Sequence, residues 1–266
     1  MQTEKEARGA LAGHWTDAMG AGAIGILARL LLLLLAWWGD RTVAGAFRDP
    51  FTQPFRMLLT LAIAFLDLLL LSPLRAGQAA LYRGWQNGED GRVWHLFSAF
   101  RSAEYGKCMA LRLQIWWRGV WRCAAAFVPA ACLLALSDRL CKGGLPVASE
   151  QVAYLLLTVA AWIFLAVGLL AVWLWWLRYM PAWYLLDDVR TASEAMRLSR
   201  RMMRGHVGEA AWLYVRFAAV ALTWVLIVPY FYTAPRFYAL RAAFVEERRR
   251  AFVQSDVYFA AQRKNC

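Results

Sequence analysis

The chain has 266 residues, of which 61% are hydrophobic and 15% aromatic, and it carries a formal net charge of +12. An apolar share this far above that of soluble domains, gathered into long runs, excludes an ordinary soluble globular fold. The basic residues lie between the apolar runs rather than in one patch, so topology and anionic headgroups explain them better than nucleic acid does.

Residues 1–20 carry Lys5 and Arg8 and read as a cytoplasmic N-terminal segment. Residues 21–74 hold a first pair of transmembrane helices. The first span, Ala21 to Trp38, contains six consecutive leucines, Leu30 to Leu35, and ends in Trp37 and Trp38. Ala44-Gly45-Ala46 resembles a cleavage site but lies far beyond the apolar run, so this span is expected to be retained. The second span reads Met57 to Leu74. Each run reaches about 18 residues, near the thickness of the hydrocarbon core.

Residues 75–107 form a cytoplasmic amphipathic connector. Val93, Leu96, Phe97 and Phe100 recur there at helical spacing beside Arg92 and Arg101, the pattern of a helix lying in the headgroup plane. Residues 108–177 hold the second transmembrane pair. Trp116, Trp117 and Trp121 open the span from Val120 to Leu136, and Trp173, Trp175 and Trp176 close the span from Val152 to Leu177. Such aromatic belts mark a membrane–water boundary.

Residues 178–206 form a second cytoplasmic amphipathic segment, this one strongly basic. Ala192, Met196, Ser199 and Met203 share one face, with Arg197, Arg200, Arg201 and Arg204 around it. A fifth span is expected from Val207 to Val228 within residues 207–245. Pro229 and Pro235 then interrupt the helix, and Phe237 to Phe244 reads as a sixth short span, a re-entrant segment or an interfacial helix. Residues 246–266 are a basic tail with Arg248, Arg249 and Arg250.

Charge sets the orientation. The segment from Arg75 to Lys107 carries five Lys/Arg and that from Arg178 to His206 carries six, against three from Gly39 to Arg56 and two from Ser137 to Gln151. The two richer segments are expected inside, with the N-terminus. The basic tail reaches the same side only after an even number of crossings. The expectation is therefore an all-α, polytopic transmembrane bundle of five to six spans with interfacial amphipathic helices. Leu11-Ala12-Gly13-His14, Glu104-Tyr105-Gly106-Lys107 and Met203-Arg204-Gly205-His206 suggest a weak repeat, each copy preceding a span.

A charge at the centre of a span costs about 2.5–3.5 kcal/mol on the insertion scale, so each requires a reason. Arg29 lies about 12 Å past Ala21 and Asp67 about 10 Å before Leu74 at the helical rise. Antiparallel neighbours would bring them to similar depth, and an ion pair or shared polar pocket between the first two spans is expected. Arg112, Arg118, Arg122 and Arg216 lie nearer helix starts and are expected to snorkel to the cytoplasmic interface.

His14, His95 and His206 are dispersed, as are Cys108, Cys123, Cys132, Cys141 and Cys266, and no CxxC pair is present. The sequence therefore points to no metal, no cofactor and no catalytic set; HExxH, GxSxG and Walker patterns are all missing.

The stretch Ala192 to Gly205, followed by an apolar run, Pro229-Tyr230 and Phe237-Tyr238, resembles the C-terminal half of domain-of-unknown-function family 975, a group of bacterial integral membrane proteins. Ser199, Met203, Arg204, Gly205, Pro229, Tyr230, Ala234, Phe237 and Tyr238 match its pattern. Ala7, Leu11, Gly13 and Trp15 resemble its opening, with His14 where the family has asparagine. Pro73, Gly77, Phe97, Phe100 and Tyr105 resemble its middle. A glycine-rich hinge expected before Pro229 is missing. The resemblance implies a bacterial cytoplasmic-membrane protein and brings no activity.

Taken together, these features predict a non-catalytic protein acting through helix packing, lipid contact or partner proteins, including further copies of itself. The alternative is a small transporter or channel component with Arg29, Asp67 and Arg216 along a polar path. A lipid-directed enzyme ranks third, for want of a nucleophile–base or metal set.

Overall fold

A computed structural model describes residues 2–46, 52–101, 104–142, 148–222 and 227–264. Every regular element among them is helical: α1 (Gln2–Leu11), α2 (Trp15–Ala46), α3 (Thr52–Gln86), a 3-10 helix (Val93–Phe97), α4 (Ser98–Arg101), α5 (Glu104–Lys142) and α6 (Ala148–Leu177), then 3-10 helices Met180–Trp183 and Leu186–Asp188, α7 (Ala192–Met202), α8 (Val207–Leu222) and α9 (Ile227–Lys264). They form two compact units, Met1–Leu113 with Pro181–Cys266, and Gln114–Met180.

Among the described residues, four helical stretches are long and apolar enough to cross a membrane: Trp15–Thr42, Pro54–Gln86, Glu104–Arg139 and Val152–Trp183. No more than 22% of any apolar window is buried within the protein. Leucines and tryptophans that water would reject are therefore left for lipid, and the chain is compatible with an integral membrane protein. The four correspond to the first four spans read from the sequence.

In the first unit the two leading span helices do two jobs along their length. Helix α2 has 32 residues and α3 has 35, or about 48 and 52 Å, well beyond the ~30 Å hydrocarbon core. On α2 most large apolar side chains from Leu27 to Trp38 are exposed, whereas Ala18 and Ala21 are buried. On α3 the order reverses: Phe55, Met57, Leu58, Leu61, Phe65 and Leu66 are exposed, and Leu71, Leu74, Leu81, Tyr82 and Trp85 are buried. Each helix thus has an outer, lipid-like half and an inner half inside a packed helical core. Near the outer end a Cβ on Gly39 would come within 2.8 Å of the Leu59 side chain, a small-residue contact of the kind that lets span helices approach.

The core around the inner halves is built by α1, α7, α9 and the 3-10 helix Val93–Phe97. Leu11 of α1, Leu96, Met196 and Met203 are buried, together with Ala239, Leu240 and Ala242 to Val245 of α9. The 3-10 helix lies so close to α3 that a Cβ on Gly77 would stand 2.0 Å from the Leu96 carbonyl oxygen. Asp17 of α2 fixes its start, accepting a hydrogen bond from the Val93 amide at 3.0 Å.

Helix α7 begins at a capping box. The Thr191 side chain accepts from the Glu194 amide at 3.3 Å, and the Glu194 carboxylate accepts from the Thr191 amide at 3.3 Å. Its apolar face was expected to lie on headgroups. It instead packs within the first unit, with Ala192, Ala195, Met196, Ser199 and Met202 all buried. A face so small and close-fitting stabilises a protein core as readily as it would a lipid surface.

Two copies of the suggested repeat share one geometry. Gly13 (φ 89°) and Gly205 (φ 86°) each occupy a left-handed turn between helices, which glycine adopts without strain. In both, the following histidine amide bonds three residues back, to Leu11 at 3.0 Å and to Met203 at 3.1 Å. The third copy, around Gly106, lies inside α5 and makes no such turn.

The fifth expected span overlaps α8, of 16 described residues, and runs into residues 223–226, which lie outside the described ones. The sixth, Phe237 to Phe244, lies in α9 where it is largely buried in protein. Neither is among the four helices long and apolar enough to cross.

The second unit comprises α5 from Gln114 onward and α6. A Cβ on Gly168 would meet that of Ala126 at 2.8 Å, so the two helices touch through small side chains. Trp116, Trp117, Trp121, Trp162 and Phe164 face outward. Arg122 lies over the Trp175 ring, 5.1 Å from its centroid, and Trp175 packs against the bare face of Gly119. Cys123 and Cys132 here, and Cys108 in the first unit, are free thiols; the side chains of Cys141 and Cys266 lie outside the described ones.

Candidate functional site

Polar chemistry in the first unit gathers where α2, α3 and α5 change from lipid-like to buried surface. The run of exposed apolar side chains begins at Leu27 on α2, beyond the isolated Met19, and at Leu113 on α5, and ends at Leu66 on α3. Arg29, Arg112 and Asp67 lie at those three frontiers. The Asp67 carboxylate pairs with Arg112, not with Arg29 as expected. Spacing along the first two spans relates only Arg29 to Asp67, whereas the start of α5 brings a second cation, Arg112, to the same carboxylate. Arg29 remains close: its charge, with those of Arg112 and Asp67, acts on Arg75, which is about two turns further in along α3. Arg29 and Arg75 line one small cavity with Ala21, Gly25, Leu71, Leu74, Gln78 and Leu96.

Because Asp67 is 34% exposed and Arg112 16%, removing either partner is expected to cost about 1–2 kcal/mol, less than a fully buried pair. Arg112→Gln and Asp67→Asn should each lower the melting temperature in neutral detergent. The exchange Asp67→Arg with Arg112→Asp should recover most of the loss. If the exchange melts no higher than the worse single variant, the pairing is wrong.

A second network lies deeper. Arg83 of α3 donates to the Tyr184 carbonyl at 2.8 Å and to Asp188 at 2.9 Å, and lies 3.7 Å from Glu246 of α9. Arg249 bridges Asp188 at 3.1 Å and Glu246 at 3.2 Å. Arg83 and Glu246 are 12% and 7% exposed, so the charges are held by one another rather than by water. Nothing in the sequence pairs these residues, which lie far apart along the chain. Arg248 also pairs with Glu209, which takes His206 at 3.0 Å, tying α9 to α8.

Aromatic rings complete the core. Trp15 stacks on Tyr232, 5.6 Å between centroids, with Arg236 over both. Tyr230 and Tyr238 share a hydrogen bond, and Tyr82 packs 5.8 Å from Tyr238. Arg241 lies 5.7–6.0 Å from the rings of Tyr184, Tyr214, Phe237 and Tyr238, an aromatic cage that offsets the desolvation of a buried cation. Burial pushes the Tyr184 phenol up to about 12, with Arg241 opposing; it stays protonated at neutral pH.

The residues singled out by the family resemblance all fall in the first unit, at demanding positions. Gly77 admits the 3-10 helix, Gly205 makes the left-handed turn, and Ser199 and Met203 are fully buried. The Tyr105 hydroxyl donates to the Leu69 carbonyl at 3.2 Å, with Phe100 6.1 Å from its ring. Pro229 lies in the first turn of α9, its side chain outside the described ones.

The outer face is basic and aromatic. Arg197, Arg200, Arg201 and Arg204 are exposed, and a cleft of about 450 Å³ runs along Asp188, Arg190, Glu194, Arg197 and Arg201. In the connector, Leu96 and Ala99 point inward while Trp94, Phe97 and Phe100 are exposed. Arg216 reaches Glu4 of α1 at 3.6 Å and is itself 62% exposed. His14 stacks on Trp85, and His95 accepts from the Arg92 amide at 3.1 Å.

No family model, curated protein or solved structure matches the chain. The fold and its apolar exterior define the class, a helical protein compatible with membrane integration.

Proposed function

We propose that the chain is a non-enzymatic, multi-pass protein of the bacterial cytoplasmic membrane that holds a packed, basic helical unit at the inner headgroup surface and acts there through anionic lipid and partner contacts. One observation carries this reading. The apolar face of α7 is buried inside the protein while its three arginines, and Arg204 just beyond it, stay exposed, so the cationic face is free to meet an acidic surface. Each basic residue near an anionic bilayer contributes about 1 kcal/mol to such contact.

The topology follows the charges. The basic connector, α7 and the Arg248–Arg250 cluster belong inside with the N-terminus, as four crossings by α2, α3, α5 and α6 allow. This reading uses the four crossings that the described helices supply; the fifth expected span carries Glu209 and Arg216 and runs on into residues outside the described ones. Membership of domain-of-unknown-function family 975 is proposed on Gly77, Tyr105, Ser199, Met203, Gly205, Phe237 and Tyr238, each at a position whose packing or backbone geometry suits its residue type. A member structure placing those residues on unrelated elements would end that proposal.

A transporter reading finds less support: the cavity between Arg29 and Arg75 has room for about one water, at about 20 Å³. Hydrogen exchange on the full-length protein in nanodiscs tests the lipid contact. Amides of residues 190–206 should exchange several-fold more slowly in phosphatidylglycerol than in phosphatidylcholine discs. Replacing Arg197, Arg200, Arg201 and Arg204 by glutamine should abolish the difference. Equal exchange in both lipids would remove the headgroup role.

A further inference from the structure

We infer that Arg29, Arg75 and Arg112 form a binding site for the phosphate of an anionic phospholipid at the inner leaflet. The inference rests on the membrane reading above and adds a specific site to it.

The first argument is charge. Arg29, Arg75 and Arg112 lie within electrostatic reach of one another, and the one carboxylate beside them, Asp67, pairs with Arg112. The excess is two positive charges at a depth where water is scarce. An arginine there requires an anion or a route to the headgroups.

The second argument is hydrogen bonding. Nη1 of Arg112 is buried and has no partner in the protein. A buried donor of a charged group left without an acceptor is costly, and guanidinium groups match phosphate oxygens in a fork geometry. A phosphate supplies the missing acceptors.

The third argument is place. Arg29 and Arg75 line a shared cavity floored by Ala21 and Gly25, with the Gln78 amide beside them. At about 20 Å³ it is too small to enclose a phosphate, so the group docks at its mouth with one oxygen directed inward. Arg29 is exposed, as are Leu27 and Leu30 close to it on α2. A phosphate carried on acyl chains meets both features at once: its charge takes the arginines and its chains lie along the leucines. Free phosphate would gain nothing from the leucines.

Native mass spectrometry of the full-length protein, released from neutral detergent, tests this with three probes: phosphatidylglycerol, phosphatidylcholine and inorganic phosphate. The wild-type chain should retain one phosphatidylglycerol in clear preference to phosphatidylcholine. Arg29→Gln and Arg75→Gln should each weaken retention about fivefold, the effect of one basic residue at an anionic surface. Asp67→Asn should strengthen it, because the competing carboxylate is gone; a purely structural role would predict the opposite sign. Arg200→Gln, on the separate basic face of α7, should leave it unchanged.

Equal retention of both lipids, or unchanged retention in Arg29→Gln and Arg75→Gln, overturns the site. Inorganic phosphate displacing the lipid at equal concentration overturns the lipid source. Loss of this site alone leaves detergent dependence and the exchange response of residues 190–206 intact, whereas failure of the membrane reading removes both.

Discussion

Gly77→Ala is expected to be among the most damaging single-methyl changes in the chain. The added Cβ would stand 2.0 Å from the Leu96 oxygen, 2.7 Å from its carbonyl carbon and 3.1 Å from its Cα, all backbone atoms that no rotamer change can move. Relief requires the 3-10 helix Val93–Phe97 to lift from α3. That would expose Leu96, now 1% exposed, and strain the hydrogen bond from the Val93 amide to Asp17. Overpacking of this kind costs about 1–3 kcal/mol, with backbone contacts at the upper end. For a chain of this size that is a drop of roughly 5–10 °C in melting temperature. Gly9→Ala is the control: it lies in α1 with no atom within 4 Å of the added carbon and should be neutral or slightly stabilising. Equal melting of the two variants would show that the close approach of Leu96 to α3 is wrong.

Glu246→Ala should cost about 3 kcal/mol, at the lower end for a buried pair that loses one partner. Glu246 is 7% exposed and is approached by Arg83, Arg249 and Arg250. Removing it leaves Arg83, 12% exposed, with Asp188 and the Tyr184 carbonyl only, which is why the loss stops short of the upper end. Glu246→Gln keeps the shape without the charge and should fall in between. Replacing Arg83 by methionine together with Glu246 by leucine should recover much of the loss, because a desolvated pair stabilises little over apolar packing. Thermal melting in detergent reads all three. If Glu246→Ala melts like Glu247→Ala, the network does not hold α9 to α3.

How far the fold can be read in the chain depends on what kind of force set each part. Runs such as Leu30–Leu35 mark spans because lipid selects on length and polarity alone, which one segment displays by itself. The arginine distribution over the loops is equally local. Partner choice is not local. Asp67 sits opposite Arg112 because α5 starts at the same depth, which spacing along α2 and α3 cannot reveal. The face of α7 carrying Met196 and Ser199 satisfies the same periodicity whether protein or lipid covers it, and protein covers it.

Other signals were present but unread. Thr191-Ala192-Ser193-Glu194 is a capping box that would have fixed the start of α7. Gly13 and Gly205 in matched contexts pointed to left-handed turns, whereas Gly106, in a similar string, continues a helix because nothing around it interrupts α5. The Arg83–Asp188–Glu246–Arg249 network joins residues far apart in the chain, and no pattern in one sequence announces it.

Cysteine accessibility in whole cells tests the central claim, four crossings with the basic helical unit inside. In a chain whose native cysteines are replaced by serine, Asp40→Cys, Arg200→Cys and Arg250→Cys are probed separately with a membrane-impermeant maleimide. Asp40→Cys should label in intact spheroplasts, and the other two only after the membrane is opened. Labelling of Arg250→Cys from outside while Arg200→Cys stays protected would reveal an odd number of crossings, and recovery of the chain in the soluble fraction would contradict the account outright.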